Sequence, residues 1–221
     1  DQTVWIVFNG EIFNYVELGD ELRALGHRFR TRSDTEVIVH AYEQWGDACV
    51  ERLNGQFAFA IHDRRRRRLL LARDRVGIRP LYHARVGERL LFASEAKSIL
   101  CDPEAPRGFD AEGLAQIFTF WAPVAPRTAL DGIRQLRPGS VLTVEADGRI
   151  EERIYWRPRF LEGGGRGGYA GERQVDQLAR ELRDRLEQAT RLRMLRADVP
   201  VGIYLSGGLD SSSIVAMMCR A

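Results

Sequence analysis

A glycine- and serine-rich string near the end of the sequence contains the residue types that bind phosphate. It reads Ser206-Gly207-Gly208-Leu209-Asp210-Ser211-Ser212 and follows the apolar segment 201–205. We predict a buried strand over 201–205 and a helix over 211–220, so that the string forms the loop between them. Glycines let a backbone approach a phosphate closely, and N–H groups at a helix N-terminus favour an anion. The string matches neither a Walker A loop, because no lysine follows the glycines, nor a GxGxxG fingerprint.

Asp210 is unusual in a phosphate-binding loop, because its carboxylate repels a phosphate. A Mg²⁺ ion that bridges the carboxylate and the phosphate would remove this repulsion. Alternatively, Asp210 turns aside and caps the following helix. The simpler interpretation of the string is an ordinary strand-to-helix turn with a serine-rich cap. The complete seven-residue string, set between a strand and a helix, favours nucleotide binding.

A second group of polar residues lies near the start of the sequence. Asn9-Gly10 follows the apolar run from Val4 to Phe8, a pattern typical of a strand and then a turn. A side-chain amide and an unhindered backbone N–H are two donors that can stabilise an oxyanion. Glu11 and Asp34 are carboxylates at predicted element ends, where they could receive a substrate ammonium. Taken one at a time, Asn-Gly is typical of a type I′ turn, and the two acids are typical of a solvated surface or a helix cap.

Strands and helices are predicted to position these residues. Leucines at 18, 22 and 25 recur at helical spacing before Gly26, and a capping-box string at 33–36 precedes a helix that ends at Gly46. Alternation over 57–61, with 69–72 as partner, indicates a hairpin. The five arginines at 64–68 fit a localisation signal or a nucleic-acid patch, but charge runs usually face solvent, which favours a solvated hairpin tip. Further predictions are a strand over 90–93, helices over 94–100 and 111–120, and a hairpin of 141–144 with 149–155.

A glycine-rich stretch at 163–171 predicts a flexible linker. Beyond it, apolar residues at steps of three and four from Val175 to Leu195 predict a long amphipathic helix. We therefore expect a first domain over 1–160, a linker over 161–173 and the start of a second domain over 174–221.

The composition is that of a globular protein and argues against several classes. The 221 residues are 44% hydrophobic and 29% charged, and a formal net charge of +2 gives no reason to expect nucleic-acid binding. The sequence contains neither a membrane-spanning apolar run nor a signal-peptide pattern, so we expect a cytoplasmic protein without a membrane partner. Three distant cysteines fit neither a disulfide framework nor a zinc site. The four histidines lack HxxxH spacing, and we interpret them as ordinary surface or core residues.

Five strings occur in the order and spacing of the glutaminase half of asparagine synthetases. They are NGEIFNY (9–15), SDTEV (33–37), LNGQFAFAIHD (53–63), ARDRVGIRPLY (72–82) and FASEAKSIL (92–100). Over roughly residues 1–160 the sequence therefore resembles a class II glutamine amidotransferase domain. The string at 206–212 is similar to the complete signature of the PP-loop ATP pyrophosphatases, which cleave ATP to AMP and pyrophosphate.

The resemblance implies roles for the matching residues. Asn9 and Gly10 would form the oxyanion hole, and Glu11 and Asp34 would hold the α-amino group of glutamine. The residues implied in ATP binding are Leu205, Ser206, Gly207, Gly208, Asp210, Ser211 and Ser212, with Mg²⁺ at Asp210. The family's nucleophile is an N-terminal cysteine, but residue 1 is Asp, and the motif order excludes Cys49 from that role. We therefore expect the natural protein to extend beyond both ends of this sequence, and the chain alone to lack glutaminase and ligase turnover.

The fold class implied by the resemblance is α/β. It comprises a four-layer α-β-β-α sandwich of the Ntn-hydrolase type, N-terminally truncated, and then the first β-α of a doubly wound PP-loop ATP-binding domain. The implied function is asparagine synthesis: amidation of aspartate through β-aspartyl-AMP, with glutamine and ATP as further substrates and a homodimer as the full-length form. The alternatives are an asparagine-synthase-like or β-lactam-synthetase-like ligase for another carboxylate, and a non-catalytic binding module.

Overall fold

The structure, a computed structural model, describes residues 3–160, 172–197 and 199–220. The chain divides into two compact units, Asp1–Pro158 and Arg159–Ala221. Most of the predicted linker, 161–171, lies outside the described residues. Its last two residues belong to a helix that begins at Glu172.

The first unit is built on two antiparallel sheets. The larger has the order β1-β2-β3-β7-β8 and the smaller the order β5-β4-β6. The strands are β1 (Val4–Ile12), β2 (Gly55–Asp63), β3 (Arg68–Arg73), β4 (Tyr82–Val86), β5 (Arg89–Ala93), β6 (Ile133–Gln135), β7 (Ser140–Val144) and β8 (Ile150–Ile154). The helices are α1 (Tyr15–Ala24), α2 (Asp34–Trp45), α3 (Cys49–Arg52), α4 (Ala96–Ile99) and α5 (Ala111–Phe120), and a single 3₁₀ turn spans Gly46–Ala48.

Alternation along β2 separates the layers. Phe57, Phe59 and Ile61 pack with buried residues of α1 and α2, whereas Ala58 and Ala60 pack with residues of the smaller sheet and the segments beside it. Successive side chains of a strand point to opposite faces, so one strand serves two cores. A third cluster joins the far face of the smaller sheet to α4. The order helices, sheet, sheet, helix confirms the predicted four-layer α-β-β-α sandwich.

The start of α2 shows how a local signal sets an element. Ser33 is the N-cap, and its hydroxyl accepts a hydrogen bond from the Thr35 N–H at 3.2 Å. The capping box is only half formed, because the Glu36 carboxylate accepts from the backbone N–H groups of Arg30 and Thr31 instead. Gly46 ends the helix with φ of 59°, a left-handed backbone that favours glycine. The helix therefore has its predicted bounds, but Glu36 binds the segment before the helix and not the backbone of its N-cap.

The first four arginines of the run form the tip of the β2–β3 hairpin, as predicted, whereas the fifth is the first residue of β3 and its side chain is only 14% exposed. Residues 64–67 are exposed between the two strands. Arg68 differs from the other four, because its guanidinium contacts both carboxylate oxygens of Asp47 at 3.0 Å and Glu145 at 3.0 Å. The last arginine of the run thus ties the hairpin to its neighbours.

The second unit contains two helices, α6 (Glu172–Leu195) and α7 (Leu209–Met218). The first apolar residues of α6 are exposed, namely Val175, Leu178 and Leu182. Leu186, further along the same stripe, is partly buried. None of the described helices combines the length and apolar character needed to cross a bilayer.

The predicted buried strand over 201–205 is wrong. These residues lie outside any described helix or strand, and all five are exposed, with Tyr204 at 99% and Leu205 at 61%. A β-strand requires a hydrogen-bonded neighbour, and no described strand pairs with this segment. Its apolar composition alone therefore does not produce a strand.

Candidate functional site

Asn9 and Gly10 lie inside β1 and not in a turn. They pair with Ala58 and Phe57 across the sheet, and β1 continues to Ile12. The interpretation of Asn9-Gly10 as a type I′ turn is therefore wrong, and the predicted end of the strand at Phe8 is too early. All nine residues of β1 have partners in β2, so the ladder continues four residues past Phe8.

Gly10 occupies a position that only glycine fits. Its φ is +147°, and a Cβ atom added there would lie 2.0 Å from the backbone oxygen of Gln56 and 2.8 Å from Cα of Phe57. A side chain would push β1 away from β2. The close approach of the two backbones thus explains the glycine, independently of any chemistry at its N–H.

The Asn9 amide is held in place by the smaller sheet. Its Nδ2 donates to Oγ of Ser94, 3.1 Å away, just beyond the end of β5. An amide nitrogen carries two hydrogens, so one donor remains for a ligand. A cavity of about 200 Å³, lined by residues of β1, β2 and β5 together with Leu81, includes both Asn9 and Ser94 in its wall. Asn9 therefore offers a fixed donor to an open space between the sheets.

Asp34 joins the first turn of α2 to the end of β1. Its Oδ2 accepts a hydrogen bond from the Ile12 N–H at 3.1 Å, and its Oδ1 lies 3.4 Å from the hydroxyls of Ser33 and Thr35. Negative charge is favoured at a helix N-terminus. Glu11, the residue before Ile12, is exposed. The structure therefore brings Asn9, Gly10, Glu11 and Asp34 together around the end of β1.

Ser94 is a site residue that the sequence analysis did not single out. It lies in the string FASEAKSIL, but we assigned it to the start of a helix, and α4 begins only at Ala96. The contact with Asn9 joins residues 85 positions apart, one in β1 of the larger sheet and one just after β5 of the smaller sheet. No local pattern can indicate a contact of that kind.

Cys49 is unsuited to act as a nucleophile. It is fully buried in the core between α1, α2 and the larger sheet. Burial, with a smaller contribution from the nearby charge of Asp47, raises the pKa of its thiol to about 12, so that the reactive thiolate is scarce near neutral pH. Within the first unit, Cys101 is not among the residues that line the cavity beside Asn9.

Asp74 organises the segment after β3 that the string ARDRVGIRPLY covers. It is fully buried, and each carboxylate oxygen accepts two backbone N–H bonds: Oδ1 from Val76 and Ile78, Oδ2 from Phe57 and Arg79. The four distances lie between 2.9 and 3.2 Å. The aspartate thus acts as an internal frame for a loop, a role that the sequence did not show.

Arg73, the neighbour of Asp74, is buried and donates to three backbone oxygens. The acceptors are the carbonyls of Arg79, Leu136 and Gly77, at 2.7, 2.7 and 2.8 Å. Burial lowers the pKa of its guanidinium, and the Asp74 charge acts in the opposite direction. Together the two residues hold the segment 74–79 against the segment after β6.

The first three residues of the glycine-rich string form a loop, and α7 begins two residues earlier than predicted, so that the rest of the string forms the first turn of the helix. Gly207 has φ of +80°, Gly208 is the N-cap, and α7 begins at Leu209. The hydroxyls of Ser206 and Ser211 lie 3.0 Å apart, and Ser211 also donates to the carbonyl of Gly208 at 3.2 Å. The two serines therefore close the loop upon itself.

The first turn of α7 presents its polar groups to solvent. Backbone N–H groups in the first turn of a helix have no acceptor within the helix. Asp210 and Ser212 are exposed in that turn, and Leu205 is exposed before the loop. The geometry of the loop is compatible with an anion at the helix N-terminus.

Comparison with known proteins gives two family matches. The family model described as glutamine amidotransferase domain matches residues 1–156, and the one described as asparagine synthase matches residues 181–221. The first of these covers well over half of the chain.

Curated relatives match nearly the whole chain. Asparagine synthetase [glutamine-hydrolyzing] 1 of Bacillus subtilis is 38% identical over 98% of this chain and 33% of the relative. Asparagine synthetase [glutamine-hydrolyzing] 3 of the same organism is 40% identical over 97% of this chain and 34% of the relative. Amidase chry2 of Gibberella zeae is 35% identical over 96% and 30%. The chain thus spans about a third of the length of these relatives, and it belongs to the glutamine amidotransferase family.

Proposed function

We propose that this chain is part of a glutamine-hydrolysing asparagine synthetase. Such an enzyme releases ammonia from glutamine and uses it to amidate aspartate, which ATP activates as β-aspartyl-AMP. The observation that carries the proposal is the presence of both family matches on one chain, glutamine amidotransferase domain over 1–156 and asparagine synthase over 181–221. Ammonia production is useful only if an acceptor is activated by the same protein.

Four residues of β1 and α2 would bind glutamine. The amide of Asn9, held by Ser94, and the backbone N–H of Gly10 would stabilise the oxyanion that forms when the side-chain amide of glutamine is attacked. The carboxylates of Glu11 and Asp34 would receive the α-ammonium group. Asp34 suits this role because its Oδ2 is oriented by the Ile12 N–H, so the charge is fixed before the ligand arrives.

The nucleophile for glutamine hydrolysis is the N-terminal cysteine of the family, and this sequence has Asp at position 1. Since Cys49 is buried, we expect the purified 221-residue chain to release no ammonia from glutamine. Ammonia release above the rate without protein would contradict the assignment of the site.

The segment 205–212, a loop followed by the first turn of α7, would bind ATP. Its glycines and the first turn of α7 would bind the pyrophosphate part, with the serine hydroxyls as further donors. Mg²⁺ would be held by the Asp210 carboxylate and phosphate oxygens, which matches the preference of this ion for one or two carboxylates and a phosphate. The ion would neutralise charge on the leaving pyrophosphate. Asp210 is exposed at the start of the helix, which leaves its carboxylate available.

The test separates glutamine use from ammonia use. In the natural protein that carries this chain, Asp34→Asn keeps an oxygen for the Ile12 N–H but removes the charge that pairs with the ammonium. We expect the KM for glutamine to rise at least tenfold, while asparagine synthesis from added ammonium chloride remains within twofold, because only glutamine contacts the missing charge. Glu11→Gln should behave in the same way. Equal loss of both activities would refute the assigned roles.

A second candidate is a ligase of the same architecture that acts on another carboxylate. It is favoured by the similarity to a protein whose name is amidase and not asparagine synthetase. Aspartate-dependent exchange of pyrophosphate into ATP by the natural protein distinguishes the two candidates. Exchange that needs a different carboxylate would favour the second, including a β-lactam-synthetase-like reaction, and no exchange with any carboxylate would favour a non-catalytic binding module.

We expect the whole protein to be a homodimer in the cytoplasm. A homodimer and a cytoplasmic location are consistent with a biosynthetic ligase of small substrates. Size-exclusion chromatography with light scattering would measure the first.

A further inference from the structure

Two histidines and a glutamate meet on the outer side of α2. His40 and Glu43 lie one turn apart on this helix, and His27 follows Gly26, just after the end of α1. The Nδ1 atoms of the two histidines are 3.2 Å apart. Oε2 of Glu43 lies 2.7 Å from Nδ1 of His40 and 3.6 Å from Nδ1 of His27. Three potential metal ligands therefore form a small triangle.

The other nitrogen of each imidazole lies near an oxygen atom, within hydrogen-bond distance for His27 and beyond it for His40. Nε2 of His27 lies 3.0 Å from Oε1 of Gln44, and Nε2 of His40 lies 3.7 Å from Oε1 of Glu36. An acceptor at Nε2 favours the tautomer that is protonated there, which leaves a lone pair on Nδ1. Carboxylates and amides at this position are the usual outer partners of metal-binding histidines. With His40 in the same tautomer, both Nδ1 lone pairs would point at each other and at the Glu43 carboxylate, an arrangement that repels unless a cation lies between them.

From this arrangement we propose that His27, His40 and Glu43 bind a divalent transition-metal ion of the Zn²⁺ type. The three ligand atoms would occupy three corners of a tetrahedron, with water at the fourth. Neutral imidazole nitrogens and a carboxylate are preferred ligands of zinc. From sequence we interpreted these histidines as ordinary residues, because His27 and His40 lie 13 positions apart and on different elements.

The distances agree with the proposed geometry. Zinc lies about 2.0–2.1 Å from histidine nitrogen and carboxylate oxygen, so two ligand atoms at a tetrahedral angle of about 109° are about 3.3 Å apart. The three observed separations are 3.2, 2.7 and 3.6 Å. The largest change needed is a widening of about 0.6 Å between Oε2 of Glu43 and Nδ1 of His40, which rotation of the exposed Glu43 side chain provides.

The surroundings restrict the histidines without blocking the triangle. The side chains of both are 16% exposed, and the ring edge of Phe29 packs against His40 with centroids 4.6 Å apart. The Arg23 guanidinium lies over the Phe29 ring at 4.6 Å from its centroid and is paired with Asp20. Partial burial fixes the ligands, and the exposed Glu43 leaves a path for the ion.

A competing explanation is that a proton, and not a metal, lies between the two imidazoles. One protonated histidine could donate from Nδ1 to the other or to Glu43. The two explanations predict opposite responses to zinc, because a bound metal requires unprotonated Nδ1 atoms. Zinc titration therefore decides between them.

The experiment is zinc titration of the purified chain at pH 7.5, followed by calorimetry and by thermal unfolding. Exposed Cys101 and Cys219 are first replaced by serine so that thiols do not compete for the ion. We expect one zinc ion per chain and a rise in Tm that EDTA reverses. His40→Gln or His27→Gln should weaken zinc binding by more than about 100-fold, since even outer partners of a metal-binding histidine contribute about 10–100-fold. His62→Gln, at an exposed position of β2, is the matched control and should bind zinc normally.

A milder variant keeps the test valid if a ligand replacement unfolds the chain. Gln44→Ala removes only the acceptor of His27 Nε2, and we expect zinc affinity to fall by about 10–100-fold with an unchanged Tm in EDTA. With Co²⁺ in place of Zn²⁺, a tetrahedral absorption spectrum should appear and be lost in His40→Gln. The proposal is overturned if the chain with both cysteines replaced does not bind zinc. It is also overturned if the His27 and His40 variants bind as well as the His62 control, or if Gln44→Ala has no effect on affinity.

Discussion

Replacing Asp74 by asparagine should destabilise the first compact unit by about 4 kcal/mol. Each of the two carboxylate oxygens accepts two backbone N–H bonds in a fully buried position. An asparagine of the same shape has one oxygen and one NH₂ group. Whichever way the amide is turned, the NH₂ group faces two N–H donors and can accept from neither.

The magnitude follows from the number of donors that lose their acceptor. A buried donor without a partner costs about 1–3 kcal/mol, so two of them cost about 2–6 kcal/mol. With an m-value of about 2 kcal/mol/M in urea, the midpoint of unfolding should fall by about 2 M. This is a large part of the stability of a typical domain, about 5–15 kcal/mol.

Tryptophan fluorescence is a suitable assay, because the four tryptophans all lie in the first compact unit. The control is Asp20→Asn, which removes a carboxylate that is 72% exposed and should change stability by no more than about 0.5 kcal/mol. A decrease in the midpoint of less than about 0.5 M for Asp74→Asn would show that the loop repacks around the amide, and the reasoning would fail.

Two further predictions concern Gly10 and Cys49. Gly10→Ala should lower the Tm by at least about 5 °C, since its Cβ would lie 2.0 Å from a backbone oxygen, whereas Gly108→Ala, whose Cβ would lie 3.7 Å from its nearest neighbour, should leave the Tm nearly unchanged. At pH 8 a thiol reagent should label Cys101 and Cys219 but not Cys49, whose pKa is raised to about 12. Above its ordinary value of 9.0 the unfolded thiol ionises while the folded one stays neutral, so this residue's contribution to stability should fall between pH 9 and 12. Labelling of Cys49 at the rate of Cys101 would contradict the second prediction, and an unchanged Tm in Gly10→Ala the first.

Local signals accounted for much of the first unit. The helices α1 and α2 and the β2–β3 hairpin follow from spacing, caps and alternation, because these features act between residues close in sequence. The shorter elements α3, β4 and β6 were not predicted. An element such as β6, of three residues, exists only because β4 pairs with it. Pairing between distant strands, such as β3 with β7, leaves no trace in a local pattern.

The candidate site was predictable in composition but not in construction. The strings that resemble glutamine amidotransferases indicated Asn9, Gly10, Glu11 and Asp34, and the structure brings them to one end of β1. The contact between Asn9 and Ser94 depends on how the two sheets face each other, so it could not be predicted from local sequence. At 201–205 the error was the opposite one: the apolar composition predicted a strand, but the segment has no strand partner among the described residues. Tertiary pairing decided both outcomes.

The position of Asn9 and Gly10 within a paired strand has a consequence for ligand affinity. A donor on a free loop must lose conformational entropy when it meets its ligand, at about 1–2 kcal/mol for each ordered backbone residue. Here the ladder with β2 and the hydrogen bond to Ser94 have already immobilised both residues during folding. The conformational entropy of these two residues is therefore lost when the sheet folds and not when the ligand binds. Mutations that loosen β1 far from the cavity should weaken ligand binding even though they touch no ligand atom.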